Sequence, residues 1–402
     1  MEQERALQAR ISVLQAMIAG QGSEESESPE LRRDLDDAQK SYNEFLAEVR
    51  RENKEQASLM NVEPLNLKQV QELLDPGTTM LEYFVVRQAV LLWVVERDGL
   101  RFVSIPIGRA DLVSKIRWFR EKIYQLGEKQ EASSSSQELY KLLIEPALPH
   151  IRGKELLIVP HDVLHYLPFQ SLMSPQDKYL VQDYSIYYLS SASLMQFTKE
   201  KRRANRTDEK ALALGNPDLN DAAYDLRFAE REVREIARDY PKSTVLVGAQ
   251  ATKAKVISLS PNNDILHFAV HAQFNQEDPT GSALLLAREG QDDGKLKVGE
   301  IFSLNLKADL VVLSACETGL GKVSNGDEII GLTRAFIYAG TPSVITTLWK
   351  VNDQASYELM REFYSNLKTM KKDQALRQAQ LKTMKEFPQP FFWAAYELTG
   401  EP

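Results

Sequence analysis

The sequence predicts an α/β fold: a mainly parallel sheet flanked by helices and preceded by an N-terminal helical hairpin. Three observations carry this. Strands and helices alternate from about residue 206 onward, strand-rich segments joined by tight turns fill about 59–205, and residues 1–58 repeat apolar positions at helical spacing. Alternation favours parallel pairing, because a crossover helix returns the chain to the start of a parallel neighbour and covers a face of the sheet.

Taken in order, Leu7, Ile11, Leu14 and Ile18 recur at spacings of 4, 3 and 4, and Leu31, Leu35, Ala38, Tyr42, Phe45 and Val49 make a second stripe. The turn-rich "GQGSEESESPE" between them predicts an antiparallel hairpin over 1–58, either a solvated spacer or a partner-docking element. From Leu65 the chain reads as a short helix ending at Asp75-Pro76-Gly77, strands at Met80–Val86 and Ala89–Glu96, and a third strand after the Asp98-Gly99 turn. A helix near Arg109–Leu126, a low-complexity loop "EKQEASSSSQ", another short helix and a strand at Glu155–Pro160 follow. "YSIYYLSSASLMQF" and the charged "TKEKRRANRTDEK" close this segment, with a domain boundary at about 206. Beyond it, strands are expected at Ala211–Leu214, Thr244–Val247, Ile265–Val270, Leu310–Ala315 and Ser343–Leu348. Helices are expected at Phe228–Asp239, Lys253–Leu259, Glu328–Ala339, Gln354–Leu367 and Gln374–Phe387.

Composition narrows the function. With 43% hydrophobic and 26% charged residues over 402 positions the chain has enough apolar material for a core. A net charge of −8, and no basic tract, argue against nucleic-acid binding, which requires a Lys/Arg surplus. Residues 1–60 hold 13 acids against 8 bases, so the acidity is concentrated there. A single cysteine forms no internal disulfide, zinc-type ligand clusters are missing, and neither a signal peptide nor an apolar run of membrane-spanning length is visible. Those features predict a cytoplasmic protein without membrane association, metal or organic cofactor.

Two strand ends carry the chemistry. "DILHFAVHA" delivers His271 just past one strand, and "DLVVLSACETG" delivers Cys316 just past another, 45 residues later. In a parallel sheet both emerge at the same edge, where open α/β sheets bind ligands. A thiol with pKa about 8.5 is mostly protonated at neutral pH, and an adjacent imidazole can take its proton. The alternative is a space-filling cysteine and a hydrogen-bonded core histidine. Against it, Cys316 follows the apolar run instead of lying within it, and the polar, glycine-bearing "ETGLGKVSNGDE" lies beside it.

A family resemblance rests on six stretches: "LLIVPHDVLHYLPFQSL", "ILHFAVHAQF", "SALLLA", "LVVLSACETGLG", "GLTRAFIYAGTPSVITTLWKVND" and "FFWAAYELTG". In that order, residues from about 80 to 400 resemble the CHAT domain, a relative of caspases, gingipains and separase often found behind tetratricopeptide repeats in bacterial proteins. The resemblance implies a caspase-like fold, an inactive half at 59–205, an active half at 206–402, and a His271/Cys316 dyad in a cysteine endopeptidase acting on protein substrates. It also implies an oxyanion hole formed by the amides of Ala272 and Cys316, where Ala272 replaces the family's usual glycine. Asp353 falls where separase-like enzymes receive a basic side chain before the scissile bond, with Trp349 as a wall of that pocket. The other readings are a helix N-cap for Asp353 and a core position for Trp349. The hairpin at 1–58 resembles the end of a repeat array, which implies gating by an activating partner or by regulatory repeats in a longer protein. A catalytically silent scaffold with the same fold is the competing reading.

Other motifs fall away. Gly319, Gly321 and Gly326 have the wrong spacing for a dinucleotide loop. His161 and His165 lie in the half expected to be inactive, and His267 shares a strand face with His271, as a supporting or core residue.

Overall fold

β-Branched and aromatic residues fill "TTMLEYFV", and in the computed structural model this stretch is β1 (Thr78–Val85). The structure describes residues 64–125, 129–202, 209–273, 281–314 and 327–402, with scattered positions between 10 and 41. Contacts divide the chain into two units, Met1–Pro64 and Leu65–Pro402. Described positions between 10 and 41, including Leu14, Leu31, Leu35 and Ala38, are helical, and Leu14 and Ala38 are buried.

The second unit is built on one sheet to which the described residues contribute eleven strands. β1 pairs antiparallel with β2 (Val90–Glu96), and β2 with β3 (Gly99–Ile105). Helix α1 (Leu67–Leu73) precedes β1, capped by Asn66, whose side chain accepts the Gln69 amide. On its other side β1 runs parallel to β4 (Glu155–Val159), and β4 to β5 (Ser185–Tyr188). Helices α2 (Arg109–Tyr124) and α3 (Lys129–Leu143) lie between β3 and β4 in sequence, and α4 (Leu180–Asp183) precedes β5. After α5 (Leu194–Lys201) come β6 (Ala211–Pro217), α6 (Arg227–Asp239), β7 (Thr244–Gly248), α7 (Lys253–Leu259) and β8 (Ile265–Ala269).

The short strands β9 (Ala272–Gln273), β10 (Ala283–Leu285) and β11 (Lys295–Lys297) form a separate small antiparallel sheet. Next are α8 (Val298–Ile301), β12 (Leu310–Leu313), α9 (Asp327–Tyr338), β13 (Ser343–Thr347), α10 (Asp353–Leu367), α11 (Lys372–Glu386), α12 (Pro390–Trp393) and β14 (Tyr396–Gly400). In the large sheet the order is β3-β2-β1-β4-β5-β14-β13-β12-β8-β6-β7.

Strands β7, β6, β8, β12 and β13 are mutually parallel. β14 is antiparallel to β13 and parallel to β5. Strands β1, β4, β5 and β14 therefore point their carboxyl ends to one edge of the sheet, and β7, β6, β8, β12 and β13 to the other. The core of the second half contains Leu266, Phe268, Val311, Leu313 and Phe336, with the Phe268 and Phe336 rings 5.7 Å apart. Each side chain of this size contributes roughly 1.5–3 kcal/mol by leaving water. Helix α6 lies against β6 so closely that a Cβ on Gly215 would sit 2.7 Å from the Ala229 carbonyl oxygen and 2.8 Å from Val233 Cγ2. A glycine there lets the helix that borders the candidate site approach its strand.

One expectation needs correcting. The serine-rich stretch expected as a loop is part of α3. Ser136 is buried, its Oγ donating to the Ser171 carbonyl and accepting the Met173 amide, both at 2.8 Å. Tertiary bonds of this kind outweigh the weak helix propensity of serine. The large sheet is mainly parallel, as alternation predicts, with antiparallel pairing only of β2 to β1 and β3 and of β14 to β13 among the described strands. Of the strand expected at Leu310–Ala315, Ala315 lies outside the described residues.

Candidate active site

His271 stands two residues beyond β8, on a backbone tied to the small sheet by the Leu285 amide donating to the His271 carbonyl at 2.8 Å. The residue is 3% exposed. Nε2 lies 2.9 Å from the Tyr224 carbonyl oxygen, and the Tyr224 ring meets the imidazole edge-on with centroids 5.2 Å apart. A carbonyl only accepts, so Nε2 carries the proton and Nδ1 is the basic nitrogen of the neutral ring. That division of labour fits a general base.

The neighbouring strand β12 pairs Leu310 with Ile265 and Leu313 with Phe268, an offset of 45 positions. The ladder extends one residue further, where the Ser314 amide donates to the Phe268 carbonyl at 2.9 Å. Cys316 lies outside the described residues, as does the loop through Gly319, Gly321 and Gly326.

A cavity of about 410 Å³ opens beside His271, lined also by Glu232, Ser314, Lys350, Asp353 and Ser356. Asp353 is the first residue of α10, and the N-cap is Asn352, whose side chain accepts the Ala355 amide at 3.0 Å. The N-cap reading of Asp353 thus gives way to a different one. Its Oδ2 accepts the Phe228 amide of α6 at 2.8 Å, which caps a helix whose own preceding residue, Leu226, provides no side-chain cap. Burial raises the Asp353 carboxyl above its usual range; the Phe228 amide opposes this, while Glu232 and Asp225 add to it and His271 subtracts. Behind the cavity, Glu232 Oε1 lies 2.7 Å from His267 Nε2, near enough for an ion pair though out of line for a hydrogen bond. His267 Nδ1 is 2.9 Å from the Tyr364 hydroxyl, so this fully buried histidine braces α6 and α10 against β8. Ser314, Ser356 and Tyr396 form a second buried chain, with Oγ to Oγ at 3.1 Å and Ser356 Oγ to Tyr396 Oη at 2.5 Å.

Trp349 does not line this cavity. It is fully buried, donates Nε1 to the Phe391 carbonyl at 2.9 Å and packs edge-on against Tyr124. Of the two readings left open by the sequence, the core position is the one observed. Ala272 is buried in β9 opposite Leu284 and is not among the positive-φ residues, so the position makes no demand for glycine. Among the described residues no group of three or more His, Cys, Asp or Glu is disposed to hold a metal, and no helix is long and apolar enough to cross a membrane.

Residues 133–401 match the family model of the CHAT domain. The chain belongs to the CHAT domain family. This CHAT protein is 28% identical to mouse and 29% identical to human tetratricopeptide repeat protein 28 over 322 residues, covering 65% of this chain and 13% of each relative. Its fold is similar to separase in the separase–securin complex of Saccharomyces cerevisiae, with a TM-score of 0.53 and 12% identity across 84% of this chain and 31% of that one. Gingipain R, an Arg-specific cysteine proteinase, aligns with a TM-score of 0.44 and 8% identity over 73% of this chain and 74% of the other. A mixed α/β CHAT fold similar to that of separase is therefore shown.

Sequence reasoning singled out His271 and Asp353 but not the Tyr224 carbonyl, a backbone group carrying no residue signature. The Glu232–His267–Tyr364 contact was half visible, through the shared strand face of His267 and His271.

Proposed function

We propose that this CHAT protein is a cysteine endopeptidase in which Cys316 is the nucleophile and His271 the base. The observation that supports this is the strand register: β12 and β8 pair at an offset of 45, the same number of positions that separates His271 from Cys316 in the sequence. His271 Nδ1 takes the thiol proton, and Sγ adds to the scissile carbonyl carbon. The C–N bond then breaks, with the proton passing to the leaving amine, and water hydrolyses the thioester. The Tyr224 carbonyl holds the ring in this orientation.

For the oxyanion we infer two donors, the amides of Ala272 and Cys316. In an antiparallel pair, the bond from Leu285 N–H to the His271 carbonyl marks that level as hydrogen-bonded. Ala272, one residue on and opposite Leu284, then turns its N–H away from β10, available to a ligand. Asp353, with Glu232 and Asp225 nearby, supports a preference for Arg or Lys before the scissile bond. The tetratricopeptide repeat relatives support gating by repeats or by a partner protein.

The test is cleavage of a peptide library by wild type, Cys316→Ala and His271→Ala, with and without candidate activating proteins. Cleavage by wild type alone is expected. Equal cleavage by Cys316→Ala, or no cleavage by any preparation, refutes the peptidase reading and leaves a caspase-like interaction module.

A further inference from the structure

The carboxyl ends of β4 and β5 open on a second cavity, of about 490 Å³, on the sheet edge opposite to His271. Pro160 and His165 follow β4, Leu189 follows β5, and Arg334 of α9, Thr346 of β13 and Glu397 of β14 close it. Crevices outside strand carboxyl ends are where α/β sheets bind ligands.

Two of its polar groups are left over. Glu397 is 8% exposed, and its Oε1 has no hydrogen-bond partner, although the carboxyl group is otherwise held by Tyr188 and Gln170. The Arg334 Nε is buried and also without a partner. A stranded donor costs about 1–3 kcal/mol, as does a stranded acceptor, and native structures strand few such groups. Here a donor and an acceptor are stranded around one cavity.

We propose that this cavity binds a small carboxylic acid that also carries a hydroxyl or amino group, with the carboxylate on Arg334 and the hydrogen-bond donor on Glu397. The Nε edge of a guanidinium takes a carboxylate through two parallel bonds, which accounts for an Nε left open. His165, on the wall, is lowered to about 4 by burial and by Arg334, so it adds no charge at neutral pH. Burial also raises the Glu397 carboxyl well above its usual range, with Tyr188, Arg120 and Gln170 opposing. The unpartnered Oε1 of Glu397 is left to accept from the ligand's hydroxyl or amino group. The site is separate from the proposed dyad, and its occupancy is read without any cleavage.

Saturation-transfer NMR on the full chain at pH 7, with glycolate, lactate, glycine and glutamate as probes and acetate as the donor-free control, tests this. At least one probe is expected to bind saturably and more tightly than acetate, and Arg334→Gln is expected to weaken it by about tenfold or more. No saturable binding by any probe overturns the proposal, as does affinity unchanged in Arg334→Gln. Should that variant not fold, Arg334→Lys, which keeps the charge and loses the fork, is expected to weaken binding by about threefold. Unchanged affinity there overturns the proposal equally.

Discussion

Replacing Asp353 separates two roles that meet in one carboxylate. Its Oδ2 accepts the Phe228 amide at 2.8 Å, and its charge lies in a cavity shared with Glu232 and His271. Asp353→Asn keeps an acceptor of the same shape and removes the charge, whereas Asp353→Ala removes both. Losing a helix cap costs about 1 kcal/mol, and stranding a partly buried amide about 1–3 kcal/mol. The alanine variant should therefore lose about 1–2 kcal/mol of stability, while the asparagine variant stays close to wild type. Exchanging a charge-assisted hydrogen bond for a neutral one removes about 1–2 kcal/mol, or about 5- to 30-fold in discrimination. Matched peptides with Arg or Gln before the scissile bond, scored as a ratio of kcat/KM, should show that drop in both variants. Some preference should survive, because Glu232 and Asp225 remain. Since Asp353 titrates above the usual carboxylate range, preference for Arg in the wild type should fade as pH drops sooner than an exposed carboxylate would allow. An unchanged ratio in Asp353→Asn refutes the specificity role, and equal melting of the two variants refutes the capping role.

Three further outcomes are expected. Ala272→Gly should leave any cleavage rate within a few-fold of wild type, because Ala272 is not at positive φ, while burying one methyl fewer costs about 1 kcal/mol; a tenfold gain in rate would instead show that the family's glycine matters here. Gly153→Ala should destabilise by about 3 kcal/mol or more, since its Cβ would lie 1.6 Å from the Gly77 carbonyl oxygen, which urea unfolding measures directly. Burial, reinforced by Glu155, pushes the Asp373 carboxyl up to about 6 from 3.8. The native state holds this proton more tightly, so its contribution to stability is present below about pH 3.8 and lost as pH rises through about 6, on the order of 3 kcal/mol. Asp373→Asn should thus be more stable than wild type at pH 7.5, with the gap narrowing toward pH 4; a constant gap would contradict that sign.

Much of the α/β alternation was legible because its strands are short apolar runs bounded by turns and its helices carry apolar stripes. Lys253–Leu259 was placed at its observed ends, and most of its neighbours fell within a few residues. What escaped prediction depended on partners far along the chain. Ser136 is helical with the support of Ser171 and Met173, and the three-residue strands β10 and β11 are too short to show a period. At the candidate site, the residue types of His271 and Asp353 announced themselves. Their actual contacts, a carbonyl at Tyr224 and an amide at Phe228, belong to the backbone of the segment around α6 and leave no trace in side-chain identity.

The position of β14 bears on how the protein is made. Residues 396–400 supply the strand that joins the two halves, pairing Thr399 with Tyr188 across 211 positions of chain. Until those residues have emerged, a growing chain can form β4–β5 and β12–β13 yet leaves β5 and β13 as two open edges with nothing to join them. Such edges are templates for pairing with other chains, and a closure this distant in sequence is slow. Adding β14 is thus also the step that removes the main opportunity for misassembly, which makes truncation before residue 396 a route to aggregation and not merely to a shorter protein.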